Sequence, residues 1–278
     1  MAKSGAHAGP LASTADAPPR RPLHDYFTQT FAVAAAEVQK LYHDPFELLT
    51  RAVQPVLWLM LFGEVMARVR GVAPGDLPYL DFLAAGILAQ SALFVAIFYG
   101  ISAIWERDLG VLQRYLVSPA PRSALVLGKA LSAGVRALSQ AIIVYVLALL
   151  LGVGIDLSPL KIIGAAAVIV LGSGLFATLS LIIACIVKTR ERFMGIGQVL
   201  TMPIFFASNA IYPLSLMPGW LRAVSHANPL TYEVDALRSL MLTQGTTDYG
   251  LLVDFGVLAA VMVALVAIAA HMYGRMGY

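Results

Sequence analysis

Long apolar runs separated by short polar breaks dominate the chain. The runs cover about 48–67, 80–104, 131–155, 162–187, 195–215 and 251–272. Each is near the length an α-helix needs to cross the hydrocarbon core of a bilayer. The pattern predicts an all-α integral membrane protein with six transmembrane helices and both termini on one side. The first run opens on Asp44-Pro45-Phe46-Glu47, a capping-box helix start, and Pro55 marks a kink within it. Ahead of it, Phe27, Phe31, Ala34, Ala35, Val38 and Tyr42 recur at helical spacing, which predicts an interfacial helix or a soluble start of the first span. The fourth run is rich in small residues, including Gly172, Ser173 and Gly174, which let helices approach closely in lipid. The fifth is broken by Pro203 and followed by Pro213 and Pro218, so 209–220 is expected to re-enter the membrane as a broken helical hairpin. Residues 221–242 read as a surface segment with helical turns, in which Glu233, Asp235 and Arg238 would form local charge pairs.

The polar break between the second and third runs, Trp105 to Lys129, has an order of its own. Trp105, Leu109, Leu112 and Leu116 fall on one helical face, with Glu106, Arg107, Gln113 and Arg114 on the other, until Ser118-Pro119 and Pro121 end the pattern. A short amphipathic helix held between two spans can lie on the membrane surface and offer its charged side to a soluble partner. The alternative is a solvated basic loop that only sets topology.

Composition agrees with the pattern: 59% of the residues are hydrophobic and 13% charged, against nearer half and a quarter in soluble domains. The net charge of +3 is scattered at span ends and forms no continuous stripe, which argues against nucleic acid as a partner. Basic residues are denser after the second and fourth spans (Arg107, Arg114, Arg122, Lys129, Lys188, Arg190, Arg192) than in the opposite loops, so both termini are expected in the cytoplasm. Residues 1–24, rich in Ala, Gly, Ser and Pro, read as a disordered cytoplasmic tail, and 25–278 as one membrane domain. The single Cys185 builds no disulfide framework, and the five histidines have no metal-ligand spacing.

No phosphate-binding loop is present. Gly128-Lys129 is followed by Ala130 and leads into a span. Enzymatic activity in this chain is therefore not expected. Ionisable groups lie near the predicted span ends, which argues against a secondary carrier or an intramembrane enzyme. Phe62, Phe94, Phe98, Tyr99, Phe205, Phe206 and Asn209 could line an apolar pathway or simply pack.

Two stretches carry a family resemblance. Glu106-Arg107-Asp108-Leu109-Gly110, with Leu116-Val117-Ser118-Pro119 and Arg122, resembles the first cytosolic loop of ABC-2 type exporter permeases. Asn228-Pro229-Leu230-Thr231-Tyr232-Glu233-Val234-Asp235-Ala236-Leu237-Arg238, preceded by Leu216-Met217-Pro218-Gly219-Trp220-Leu221, resembles the external signature before that family's last span. The drug-resistance and nodulation-factor exporter branch is the most similar, over about Phe27 to Met272. The resemblance implies a six-helix transmembrane domain in the cell's inner membrane, with an N-terminal connecting helix. It implies a coupling helix carrying Glu106, Arg107, Asp108, Leu109, Gly110, Leu112 and Arg114. It also implies an external re-entrant gate built on Pro218, Asn228, Pro229, Tyr232, Asp235 and Arg238. Two permease copies, identical or related, would pair around a pathway for a lipophilic drug-like or lipid substrate. The ATP and Mg would be bound by a separate cytosolic subunit, with no cofactor or metal on this chain. The same architecture exporting a lipid-linked glycan or polysaccharide is the alternative.

Overall fold

The computed structural model describes residues 50, 53–69, 77–109, 121–187 and 189–273. The tail at 1–24, the expected connecting helix, the capping box at 44–47, the loop at 70–76, and Gly110, Leu112 and Arg114 lie outside the described residues. What is described is helical, with one isolated antiparallel bridge between Ile155 and Leu242.

The helices are α1 (Val53–Ala67), α2 (Tyr79–Tyr99), α3 (Ile101–Asp108), α4 (Arg122–Leu150), α5 (Pro159–Ile186), α6 (Arg190–Phe206), α7 (Gly219–Ala227), α8 (Pro229–Met241) and α9 (Leu251–Tyr273). Four of the described helical stretches are long and apolar enough to cross a membrane: α2 with α3, α4, α5 and α9. They match the second, third, fourth and sixth predicted runs. Three residues after Pro55, α1 widens into a π-helical stretch, Trp58–Gly63. At 17 residues, α6 is about 25 Å long at the standard rise.

Burial sorts these helices. The apolar stretch of α2 is 83% buried, so it forms the centre, with α4, α5 and α8 packed around it. That of α9 is only 11% buried, and Leu252 and Val263 point outward. An apolar helix with so little protein cover belongs against lipid.

Local chemistry explains the breaks. Gly152, at φ +78°, follows the C-terminus of α4. The bonds Gly152 N to Leu149 O (3.1 Å) and Val153 N to Ala148 O (3.0 Å) complete a Schellman cap there. The α4–α5 turn then clips to the end of α8 through Asp156 N to Met241 O and Thr243 N to Gly154 O, both 2.9 Å. Pro159 occupies the first turn of α5, where its missing N–H costs nothing. The Thr189 hydroxyl caps α6, and the Asn228 side chain caps α8 by accepting from Leu230 N at 3.0 Å.

One expectation is corrected here. Residues 229–241 do not form a surface segment, because most of α8 is buried among α2, α5 and α9. Leu240 packs over Gly164, and the Glu233 carboxyl fits against Gly172, where a Cβ would overlap it. Those two glycines are eight residues apart, about 12 Å along α5. Thus α8 runs alongside α5 from the middle of α5 towards its N-terminal end.

Candidate functional site

At one end of the bundle, α2 and α3 run together to Asp108, and α4 starts at Arg122. Between them Glu106 and Lys129 meet, with Nζ 2.8 Å from Oε1 and 2.7 Å from Oε2. Both residues are buried. Lys129 also lies 6.0 Å from the centre of the Tyr99 ring, and the Arg136 guanidinium 5.4 Å from it. Arg107 donates to the Val187 carbonyl at 3.4 Å. Asp108 pairs with Arg190 at 2.8 Å, and that guanidinium stacks 3.4 Å above the Trp105 ring. The end of α3 is therefore fixed to α4 on one side and to the start of α6 on the other.

One part of the expected facing changes. Glu106, expected on the charged side offered to a soluble partner, is buried, while Trp105 and Leu109, on the apolar side of a helix lying on the membrane surface, are 47% and 70% exposed. Periodicity identifies two faces but not which one meets the rest of the protein. Lys129 and Arg190 are the residues that decide this. They lie 23 and 82 positions from their partners, beyond the reach of any local pattern.

The aromatic residues proposed as a pathway divide into separate groups. Phe94 and Phe98, with ring centres 6.1 Å apart, line a cavity of about 340 Å³ between α1, α2 and α4. Thr50, Gln54, Ser91 and Gln140 add polar groups to an otherwise apolar wall. Phe62 and Phe205 belong to another cluster, joined through Trp58 at 5.0 and 5.7 Å. Phe205 is fully buried, so it packs α6 onto α1 and lines no open space. Phe206 continues that cluster at 5.3 Å and faces outward. Tyr99 sits with the cations at the Glu106 end. Asn209 is buried, and its backbone carbonyl accepts from Arg238 at 2.8 Å.

At the opposite end, α7 and α8 form a knot of polar contacts. Pro218 precedes α7. Arg222 donates to the carbonyls of Leu214, Ser215 and Met217 at 3.1, 3.2 and 3.3 Å, closing the turn before it. Asn228 donates to Ile204 O at 2.6 Å and Ala207 O at 3.2 Å, which ties α8 to the end of α6. Next in sequence, Pro229 occupies the first turn of α8. Tyr232 donates to His226 O at 2.8 Å, and its ring lies 4.9 Å from that of Tyr249. Tyr249 in turn bonds His226 Nδ1 at 2.6 Å. Burial, then the neighbouring Tyr232 and aspartates, push the Tyr249 phenol up to about 12.

The expected local pairing of Glu233, Asp235 and Arg238 is not what these side chains do. Asp235 accepts from Asp248 N at 2.9 Å and Tyr249 N at 3.1 Å. Arg238 stacks 3.9 Å over the Phe82 ring and reaches Asn209. Glu233 is fully buried, and neither of its carboxylate oxygens has a hydrogen-bond partner among the described residues. Asp254, at the start of α9, is likewise buried and without such partners. Beside this knot, the exposed Asp156 bonds Lys161 at 2.8 Å, which holds its carboxyl below the usual range. Among the described residues no group of His, Cys, Asp or Glu side chains could hold a metal ion.

Residues 28–242 match the family described as ABC-2 type transporter. The chain is 29% identical over 219 residues to the transport permease ycf38 of Cyanophora paradoxa, covering 77% of this chain and 74% of the relative. It is 26% identical over 234 residues to the daunorubicin resistance ABC transporter permease protein DrrB1 of Streptomyces coeruleorubidus, covering 84% and 80%. Nodulation protein J of Sinorhizobium fredii is 28% identical over 197 residues, covering 70% and 74%.

Proposed function

This chain belongs to the ABC-2 type transporter family, and we propose that it is the membrane subunit of an ATP-driven exporter whose ATP is hydrolysed by a separate cytosolic subunit. Two copies, or this chain and a relative, would pair in the cell's inner membrane, with both termini in the cytoplasm. The loop that begins at Glu106 would seat on the ATP-binding subunit, and ATP-driven closure of that subunit would push on it.

The observation that carries this reading is the buried Glu106–Lys129 pair. A lever transmits motion only if its root is stiff. Here the carboxylate on α3 and the ammonium on α4 clamp both ends of the loop where it leaves the bundle. A push on the loop would therefore displace α2 and α4 together, and α2 is the most buried span. Sites coupled through rigid packed elements with discrete arrangements are the physical requirement for such transmission.

The substrate reading follows from the cavity beside Phe94 and Phe98. Among the described residues its wall is aromatic with hydroxyl and amide groups and carries no charged side chain. Such a wall suits a lipophilic molecule with a few hydrogen-bonding groups. Its volume of about 340 Å³ favours a drug-like or lipid moiety over a chain of sugars. The daunorubicin resistance permease name of one relative supports a drug-like substrate.

At the far end, α7 and α8 would form a re-entrant external gate. The start of α8 beside the middle of α5 and the grip of Asn228 on the end of α6 support that placement. The test is co-purification with an ATP-binding subunit followed by reconstitution in liposomes. Solute-stimulated ATP hydrolysis with outward movement of the solute is expected. Stable insertion with no ATPase partner and no ATP-dependent transport would refute the proposal.

A further inference from the structure

We infer that Arg190 is a transmission residue that joins the first intracellular loop directly to α6, giving the drive a second route besides the one through α4. The inference rests on the reading above, in which the loop after Asp108 receives the ATPase's motion.

Three contacts make the joint. The Arg190 guanidinium pairs with Asp108 at 2.8 Å. Its Cζ lies 3.4 Å from the centre of the Trp105 ring. Beside it, Arg107 holds the Val187 carbonyl at 3.4 Å, just before α6 begins. Trp105 and Asp108 are three residues apart, so they share one face of α3 and grip the same side chain. An exposed ion pair by itself contributes little, but a guanidinium held by a carboxylate at its edge and an indole on its face is fixed in position and orientation.

Where Arg190 sits matters as much as what it touches. It is the first residue of α6, so any shift of α3 is applied at the root of that helix. The rest of α6 is held on one face only, by Phe193, Gly197, Thr201 and Phe205. Gly197 touches Ile97 and Phe98 on one side, while Val199 is 73% exposed and Ile196 and Met194 also face outward. A helix with few buried contacts moves at lower cost than the packed α2 or α5. Its far end carries the Ile204 and Ala207 carbonyls that Asn228 holds. One continuous line thus runs from Asp108 through Arg190 and α6 to the α7–α8 knot. Glu106–Lys129 passes the push to α4, and Asp108–Arg190 passes it to α6.

The experiment uses the full chain with Cys185→Ser, co-reconstituted with its ATP-binding subunit. A spectroscopic label is placed at Val199→Cys on α6 or at Ile142→Cys on α4, both exposed positions. ATP is expected to change both signals in the native-Arg190 chain. In Arg190→Ala and in Arg190→Asp, the α6 signal should lose its ATP response several-fold while the α4 signal keeps it. That retained response also shows that the variant is folded and engaged. The charge exchange Asp108→Arg with Arg190→Asp should recover part of the α6 response. An undiminished α6 response in Arg190→Ala, or an exchange no better than the single variants, overturns the inference and leaves the permease reading standing. No ATP response from either label in the native-Arg190 chain would instead count against that reading.

Discussion

The Glu106 carboxylate on α3 and the Lys129 ammonium on α4 lie 2.7 Å apart inside the protein, where the polypeptide leaves and rejoins the bundle. Two charges are brought out of water at the root of the loop between α3 and α4. Burial of an ion pair is weak evidence for stability, because desolvation offsets the attraction. Its use here is geometric: it fixes the distance between two spans across an intervening loop.

Breaking the pair should therefore cost more than removing it. Glu106→Leu or Lys129→Met alone leaves an uncompensated buried charge and should lower stability by about 3–5 kcal/mol. The double variant should recover most of that loss while impairing ATP-dependent transport. Thermal unfolding in nanodiscs, read beside transport, checks both. Additive losses in the double variant would mean that the two residues do not act as a pair.

The packing of α8 along α5 makes a second, independent test. At Gly172 a Cβ would overlap the Glu233 carboxyl group, so one of them must shift. Gly172→Ala should destabilise by about 1–3 kcal/mol, the usual range for overpacking. Glu233→Ala in the same chain should relieve much of it, and a double-mutant cycle on thermal unfolding measures the coupling. Lack of coupling would place α8 elsewhere.

Phe98 and Phe205 share a residue type and should behave differently. Phe205 is fully buried, and Phe205→Ala should cost about 3–5 kcal/mol of stability. Phe98 lines the cavity, so Phe98→Ala should leave stability nearly unchanged and shift the relative transport rates of lipophilic solutes. Matching stability losses in the two variants would make Phe98 a packing residue.

The four long helical stretches are legible in the sequence, because each is an unbroken apolar run whose length the bilayer dictates. The fate of the charges is not. Glu233, Asp235 and Arg238 sit at helical spacing and read as neighbours that pair. The fold instead sends Asp235 to backbone N–H groups at 248 and 249, and Arg238 to the Phe82 ring. Those partners come from other parts of the chain, and no periodicity points to them. Trp105 and Leu109 mislead for a related reason. Trp105 stacks under Arg190 and Leu109 is exposed beyond it, so the buried residue of this short helix is the charged Glu106, whose partner Lys129 comes from α4. The aromatic pathway was legible by residue type only. Whether a phenylalanine lines space, as Phe98 does, or fills it, as Phe205 does, depends on packing across α1 and α6.

The Asp156–Lys161 contact carries a pH signature. Its carboxyl is held below the ordinary range by Lys161 and then by the Ser158 N–H. A depressed carboxylate contributes stability that is present above its unfolded value and lost as pH falls through its folded one. Asp156→Asn should therefore lower the unfolding temperature slightly at neutral pH, and the difference should disappear in acid below the usual carboxylate range. A difference that persists there would show that the contact's contribution is not electrostatic.

The claim on which the account rests is that the chain beyond Asp108 faces the compartment that holds the ATPase. Leu109 is 70% exposed and tests it directly as Leu109→Cys in a Cys185→Ser chain. A membrane-impermeant thiol reagent should leave this position unlabelled in intact cells. It should label the position in inside-out vesicles, with protection when the ATP-binding subunit is present. Labelling from outside intact cells would contradict the account.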